Sequence, residues 1–220
     1  MSRTTPDLVA DRARALALVP VSRETLLLLD RFVALLLQWQ QRTNLIGPAT
    51  VPQLWTRHIA DSLQLLALAP EARVWVDLGS GGGFPGLVLA CALAQKRGAA
   101  VHLVESNAKK AAFLREVGRD LELPAIVHAE RIEHFSLPAD THVDVITARA
   151  LAPLNVLFGY VVPLLKTGAQ ALLPKGQDVE AELTEAAKYW SIQTELVPSK
   201  TSPHGRIVVV RRLARRHAKT

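Results

Sequence analysis

The hydrophobic rhythm of the chain changes once, at Pro70. Before it, apolar residues recur at helical spacing. Leu26, Leu29, Phe32, Val33, Leu36, Leu37 and Trp39 share one stripe, and Ser22, with Glu24 in the first turn, supplies an N-cap. A second helix is predicted from Pro52, with Leu54, Trp55, Ile59, Leu63 and Leu66 on its apolar face. After Pro70 the period shortens. RVWVDL, AVHLVE, PAIVHA, DVITAR and AQALLP are short runs rich in β-branched residues, and stretches of helical length such as FPGLVLACALAQ, AKKAAFLREVGRDLE and DVEAELTEAAKYW accompany them. Strands alternating with helices predict an α/β fold: a parallel sheet with helices on both faces. IQTELVP, the turn-rich SKTSPHG and RIVVVRR read instead as a hairpin, so the sheet is expected to end in an antiparallel pair.

Composition narrows the class. With 220 residues, 49% of them hydrophobic, the chain can bury a sizeable core as one globular unit. The most apolar early stretch, LLLLDRFVALLLQW, is broken by Asp30 and Arg31, and the first twenty residues lack the order of a signal peptide. A cytoplasmic protein without membrane attachment is therefore expected. Cys91 is the only cysteine, which excludes an internal disulfide and any cysteine-only metal site; it reads as a small buried hydrophobe. Lys and Arg outnumber Asp and Glu by 26 to 20, and the excess gathers in RRLARRHAKT, residues 211–220. Such a balance points to a polyanionic partner.

The candidate chemistry begins at VDLGSGGGFPG, residues 76–86, where the first predicted strand meets the first predicted helix of the sheet. Glycines this dense mean a sharp bend and a close visitor, at the carboxyl edge where open α/β sheets bind ligands. Gly81, Gly83 and Gly86 satisfy the dinucleotide pattern G-x-G-x-x-G, and Asp77, Gly79, Gly81 and Gly83 satisfy D-x-G-x-G-x-G. A pyrophosphate would be repelled by the carboxylate of Asp77, whereas the ammonium end of S-adenosylmethionine would be attracted. Glu105, at the end of the second strand, can accept from ribose hydroxyls of either ligand. These residues favour S-adenosylmethionine.

Six blocks in order, WQQRTNLIGP, RHIADS, VDLGSGGGFPG, AERIEHF, TARAL and LLPKGQ, resemble the bacterial small-subunit ribosomal RNA guanine-N7 methyltransferase G family, also called glucose-inhibited division protein B. The resemblance implies a seven-stranded, Rossmann-like methyltransferase sheet with an N-terminal helical cap. It implies methyl transfer from S-adenosylmethionine to N7 of a guanine in 16S ribosomal RNA, free or in a small ribosomal subunit particle. On this reading residues 1–70 form the cap, 71–213 the methyltransferase domain and 214–220 a basic tail, in a monomer. The resemblance places Asp77, Gly79, Ser80, Gly81, Phe84 and Glu105 at the cofactor, with Ile132 and Glu133 beside its adenine. Arg149 would contact the cofactor carboxylate or an RNA phosphate. Asn44, Arg57, His58, Lys109 and Arg206 are expected on the RNA side, and Lys175 with Arg149 as the residues orienting the base. His58, Asp61 and Ser62 share a helix face, which suits a hydrogen-bonded tie from cap to glycine loop; no complete metal shell accompanies them. A methyltransferase acting on a small molecule or another RNA, an inactive cofactor-binding module and, more distantly, a nicotinamide dehydrogenase are the alternatives.

Overall fold

The computed structural model describes residues 4–138, 140–165 and 167–216. Helix α1 (Thr4–Leu18) precedes α2 (Arg23–Gln40), whose N-cap is Ser22, its side chain accepting from the Thr25 amide. Leu29, Phe32, Val33 and Leu36 form the buried stripe of α2. The helix expected from Pro52 is present but irregular. It runs as a 3₁₀ segment (Pro48–Gln53), a π segment (Trp55–Ala60), an α-helical turn α3 (Asp61–Leu63) and a second 3₁₀ segment (Gln64–Leu68). A tertiary contact marks the irregularity: the wholly buried Asp11 of α1 accepts from the amides of Trp55 and Thr56, at 2.8 and 3.1 Å. Those are donors that a helix start leaves unsatisfied.

The sheet strands are β1 (Val74–Leu78), β2 (Ala100–Val104), β3 (Ala125–His128), β4 (Val145–Ala148), β5 (Gln170–Lys175), β6 (Trp190–Pro198) and β7 (Arg206–Arg215). Their order is β3-β2-β1-β4-β5-β7-β6; the first five run parallel, and β7 pairs antiparallel with both β5 and β6. The crossover helices are α4 (Gly86–Leu93), α5 (Ala108–Asp120) and α6 (Leu154–Leu165), with α7 (Val179–Ala186) leading into β6. One face of the sheet packs through Trp75, Leu103, Ile207 and Val209 against α2, α4, α5 and the irregular helix. The segment before β1 thus shares its core with the sheet. The other face packs through Val76, Ile146, Val208 and Val210 against α6 and α7.

One expectation is corrected. Residues 211–215 continue β7 and pair with β6 as far as Trp190↔Arg215, so the basic run is largely strand and begins no tail at 214. Backbone pairing needs no apolar side chain, and so the arginines did not end the strand. Residues 217–220 lie outside the described residues.

Candidate functional site

The glycine turn is fastened to β2. The amides of Gly79 and Ser80 both donate to the Val104 carbonyl, at 2.9 and 3.0 Å, and Gly83 and Phe84 donate back to Ser80. Gly79, Gly81 and Gly83 have positive φ, at 72°, 55° and 89°, which excludes most side chains. Glu105 ties the turn to the start of α5: Oε2 accepts from Gly81 N at 2.9 Å and Oε1 from Asn107 N at 2.7 Å. Gly79, Ser80, Gly81, Gly82 and Glu105 wall a cavity of about 440 Å³ together with Leu45, Ile46, Phe84, Lys110, Ile132 and Leu151. That size falls in the range of about 300–1,000 Å³ common for small-ligand sites.

Asp77 is not in that wall. It is fully buried, with Oδ2 accepting from Gly86 N and Oδ1 from the Thr147 hydroxyl, each at 3.0 Å. Burial pushes its carboxyl up to about 6 against these bonds. Asp77 therefore joins β1, α4 and β4 and does not reach toward a ligand. Glu133 is likewise outside that wall. It lines a neighbouring apolar cavity of about 330 Å³ with Phe135 and Tyr160, accepts from the Tyr160 hydroxyl at 3.1 Å, and shares only its neighbour Ile132 with the glycine-turn cavity.

A second, larger cleft of about 680 Å³ opens beside the first, between the irregular helix and the β6–β7 connection. Arg57, Lys175 and Arg206 line it, and His58, Arg149 and Ala150 face both cavities. Arg149 leaves the end of β4, followed by Ala150 in the left-handed region at φ 52°, a strained conformation for a residue with a Cβ. The Arg149 guanidinium donates to the Arg57 carbonyl at 3.0 Å and to His58 Nδ1 at 2.7 Å, lies 3.5 Å from Asp61 Oδ2, and stacks 5.4 Å from the Phe84 ring. Burial lowers its pKa, and Asp61 and Asp77 oppose that shift. Since arginine only donates, His58 Nδ1 must accept, and the proton sits on Nε2, which donates to Thr50 Oγ1 at 2.9 Å. Burial, followed by Arg149 and Arg57, drives the His58 pKa down to about 3, so the ring is neutral.

A polar clasp closes the cleft at its rim. Asp61 Oδ1 accepts from the Thr201 hydroxyl at 2.7 Å, and Gln64 Oε1 accepts from Lys200 N at 2.8 Å. The turn SKTSPHG, legible in sequence only as a hairpin connection, is therefore a wall of the site. Lys175 faces the cleft, but its ammonium is held by the Ala152 carbonyl at 2.8 Å and Glu182 at 2.7 Å. Arg206 bonds to the carbonyls of Pro203 and Gly205. Arg57 is exposed on the cleft, without a side-chain bond among the described residues. Asn44, exposed and 3.4 Å from Gln40, and Lys109, exposed in the first turn of α5, line neither cavity; the neighbouring Lys110 lines the glycine-turn cavity and not the cleft.

Comparison with known proteins adds a family to this geometry. The family model described as rRNA small subunit methyltransferase G, or GidB, matches residues 26–208. A ribosomal RNA small subunit methyltransferase G from a Bradyrhizobium species is 62% identical over 203 residues, covering 92% of this chain and 91% of that one. Its counterpart from Nitrobacter hamburgensis is 62% identical over 207 residues, covering 94% and 80%. A SAM-dependent methyltransferase structure from Aquifex aeolicus is similar in fold at a TM-score of 0.55, with 16% identity, covering 76% of this chain and 94% of that one. A match across most of the helical segment and the sheet places the chain in the rRNA small subunit methyltransferase G family.

Proposed function

We propose that this protein transfers a methyl group from S-adenosylmethionine to N7 of one guanine in 16S ribosomal RNA. In a chain of this family, the observation that carries the reading is the shared wall: Arg149 and neutral His58 stand between a ligand-sized glycine cavity and an open cleft lined by basic residues. The glycine cavity fits the cofactor. A Cβ on Gly81 would meet only the Gly79 carbonyl, at 3.7 Å, so the wall is clear where the ligand must approach. Glu105 sits at the lip, where its remaining lone pairs suit ribose hydroxyls, and Phe84 covers one side. S-adenosylmethionine supplies a methyl group activated by a sulfonium.

Guanine N7 carries a lone pair and no proton, so the protein needs no general base. Its task is to bring the ring in line at near-attack distance. The product base is cationic, and a free cation beside N7 would oppose it. Arg149 and Lys175 are both bonded to protein acceptors, Arg149 to Arg57 O, Asp61 and His58, Lys175 to Ala152 O and Glu182, which suits orienting contacts at O6. The guanine must leave its stack to enter the cleft, and Arg57 and Arg206 would hold flanking phosphates. The substrate class implies work in the cytoplasm; no described helix is long and apolar enough to cross a membrane. The test is radiolabel transfer onto unmodified small-subunit RNA, free and in particles, with the modified nucleotide mapped. Label at a guanine N7 supports the reading, and label elsewhere or none on either substrate sinks it.

A further inference from the structure

Beyond Val210, β7 has no partner in β5 and pairs only with β6, so residues 190–193 and 211–215 form a two-stranded ribbon that projects past the sheet. Arg211, Arg212, Arg215 and Arg216 are all exposed on it, and residues 190–193 and 211–216 contain no acid. Among the described residues only Arg211 has an ionic partner, Glu195 at 3.5 Å, a pair in which both side chains are well exposed. The ribbon is anchored. Trp190 packs edge-on against Phe158 and donates from Nε1 to the Asn155 carbonyl at 3.1 Å, while Arg216 Nε donates to the Trp190 carbonyl. Beside the arginines Tyr189 stands 53% exposed, its carbonyl accepting from Arg216 N.

Because β7 begins with Arg206 at the cleft, a rise of about 3.3 Å per residue puts Arg211 roughly 17 Å and Arg215 roughly 30 Å along the strand from Arg206, toward the opposite end of the sheet. A guanine entering the cleft does not need these charges. We propose that the ribbon is a second RNA-binding surface, gripping phosphates of the ribosomal RNA remote from the methylated guanine, with Tyr189 available to stack on an unpaired base. The proposal rests on the ribosomal RNA reading above. Guanidinium forks match phosphate oxygens two by two, and an exposed aromatic among them is the pairing that RNA backbones and splayed bases use. A membrane or protein partner fits less well, because the large aromatic of the ribbon, Trp190, is turned inward and its aliphatic side chains, Ile192 and Leu213, are half-buried.

The test compares Arg212→Ala/Arg215→Ala with the unaltered protein, neither side chain having a hydrogen bond among the described residues. Filter binding to full-length 16S RNA across a salt series should show the slope of log affinity against log salt falling by about 0.7–0.9 per arginine. Tyr189→Ala should weaken binding without changing that slope. The double variant should raise KM for full-length RNA and leave kcat, cofactor affinity and activity on a short oligonucleotide bearing the target guanine unchanged, and lysine at both positions should restore the slope. An unchanged slope in a folded, cofactor-binding variant overturns the proposal, as does an equal loss on the short oligonucleotide, which would place the arginines at the cleft. Loss of binding to anionic phospholipid vesicles with RNA affinity intact would also overturn it, in favour of a membrane surface. The slope is read from binding alone, so it judges the ribbon even where methyl transfer fails and the functional reading falls.

Discussion

At the scale of single residues, the most informative side chains are those whose chemistry differs from what their type suggests. Asp77 reads in sequence as the acid that greets a cationic ligand, yet it is a buried joint. Asp77→Ala would strand the Gly86 amide, costing about 1–3 kcal/mol, and leave the Thr147 hydroxyl only its 3.4 Å contact with the Val76 carbonyl. Asp77→Asn can accept from one and donate to the other, and should fold. The variants also test linkage. With its folded pKa raised from the usual 3.8 to about 6, Asp77 holds its proton more tightly in the folded state, so its contribution to stability is lost as pH rises from about 4 to about 6. Denaturant titrations across that window should show this fall as a difference between the native protein and Asp77→Asn, and equal slopes would refute it. His58 has the opposite sign. A pKa lowered from 6.5 to about 3 means that the unfolded chain binds the extra proton, and stability is lost as pH falls from about 6.5 toward 3. The same shift removes His58 as a general base near neutrality, so kcat measured from pH 6 to 8 should show no limb that disappears in His58→Gln. Such a limb would restore His58 to proton transfer.

At the scale of elements, the glycine turn and the cap meet through backbone, and there a single methyl group matters. A Cβ on Gly82 would stand 2.9 Å from the Leu45 carbonyl oxygen, whereas one on Gly79 would meet the flexible Leu151 side chain at 2.8 Å and strain φ as well. Gly82→Ala must push the loop after α2 off the turn. It should cost about 1–3 kcal/mol by thermal melting, as overpacking does, and weaken cofactor binding in calorimetric titration. Unchanged melting and affinity would mean that the loop yields freely. The difference between the two glycines is invisible in GSGGGFPG, because it depends on which neighbour lies across the gap. The same holds for other elements. The strands and α2 were legible because their side chains repeat with the period of the structure, and Glu105 because it ends a strand. The π segment at Trp55–Ala60 was not, since Asp11 from α1 meets its first amides, and the place of Glu133 turns on a bond to Tyr160 of α6. The extension of β7 was hidden by arginines that pair through backbone alone.

At the scale of the whole molecule, two cavities of different lining are brought to one wall by a helical segment and a sheet that share a core. Glu105 lines only the glycine-turn cavity, Arg57 only the cleft, and Arg149 both. That division predicts how losses combine. Glu105→Ala should raise the cofactor Kd about tenfold, near 1.4 kcal/mol, and leave RNA affinity alone. Arg57→Ala should weaken RNA binding, lower its salt slope by about 0.7–0.9, and leave the cofactor Kd alone. The Glu105 and Arg57 side chains share no partner, so the free-energy losses in kcat/KM for the double variant should add to within about 0.5 kcal/mol. Arg149→Ala should behave otherwise. It frees His58 Nδ1 and the Arg57 carbonyl and removes the cation stacked on Phe84, disturbing both cavities at once. Combined with either single change, it should depart from additivity by about 0.5–3 kcal/mol, the range for residues coupled through a shared cavity. The measurement is kcat/KM for methyl transfer to 16S RNA in all single and paired variants at one salt concentration. If Arg149→Ala adds simply to both partners, the wall is two independent surfaces, and the assignment of Arg149 to cofactor and RNA together must be abandoned.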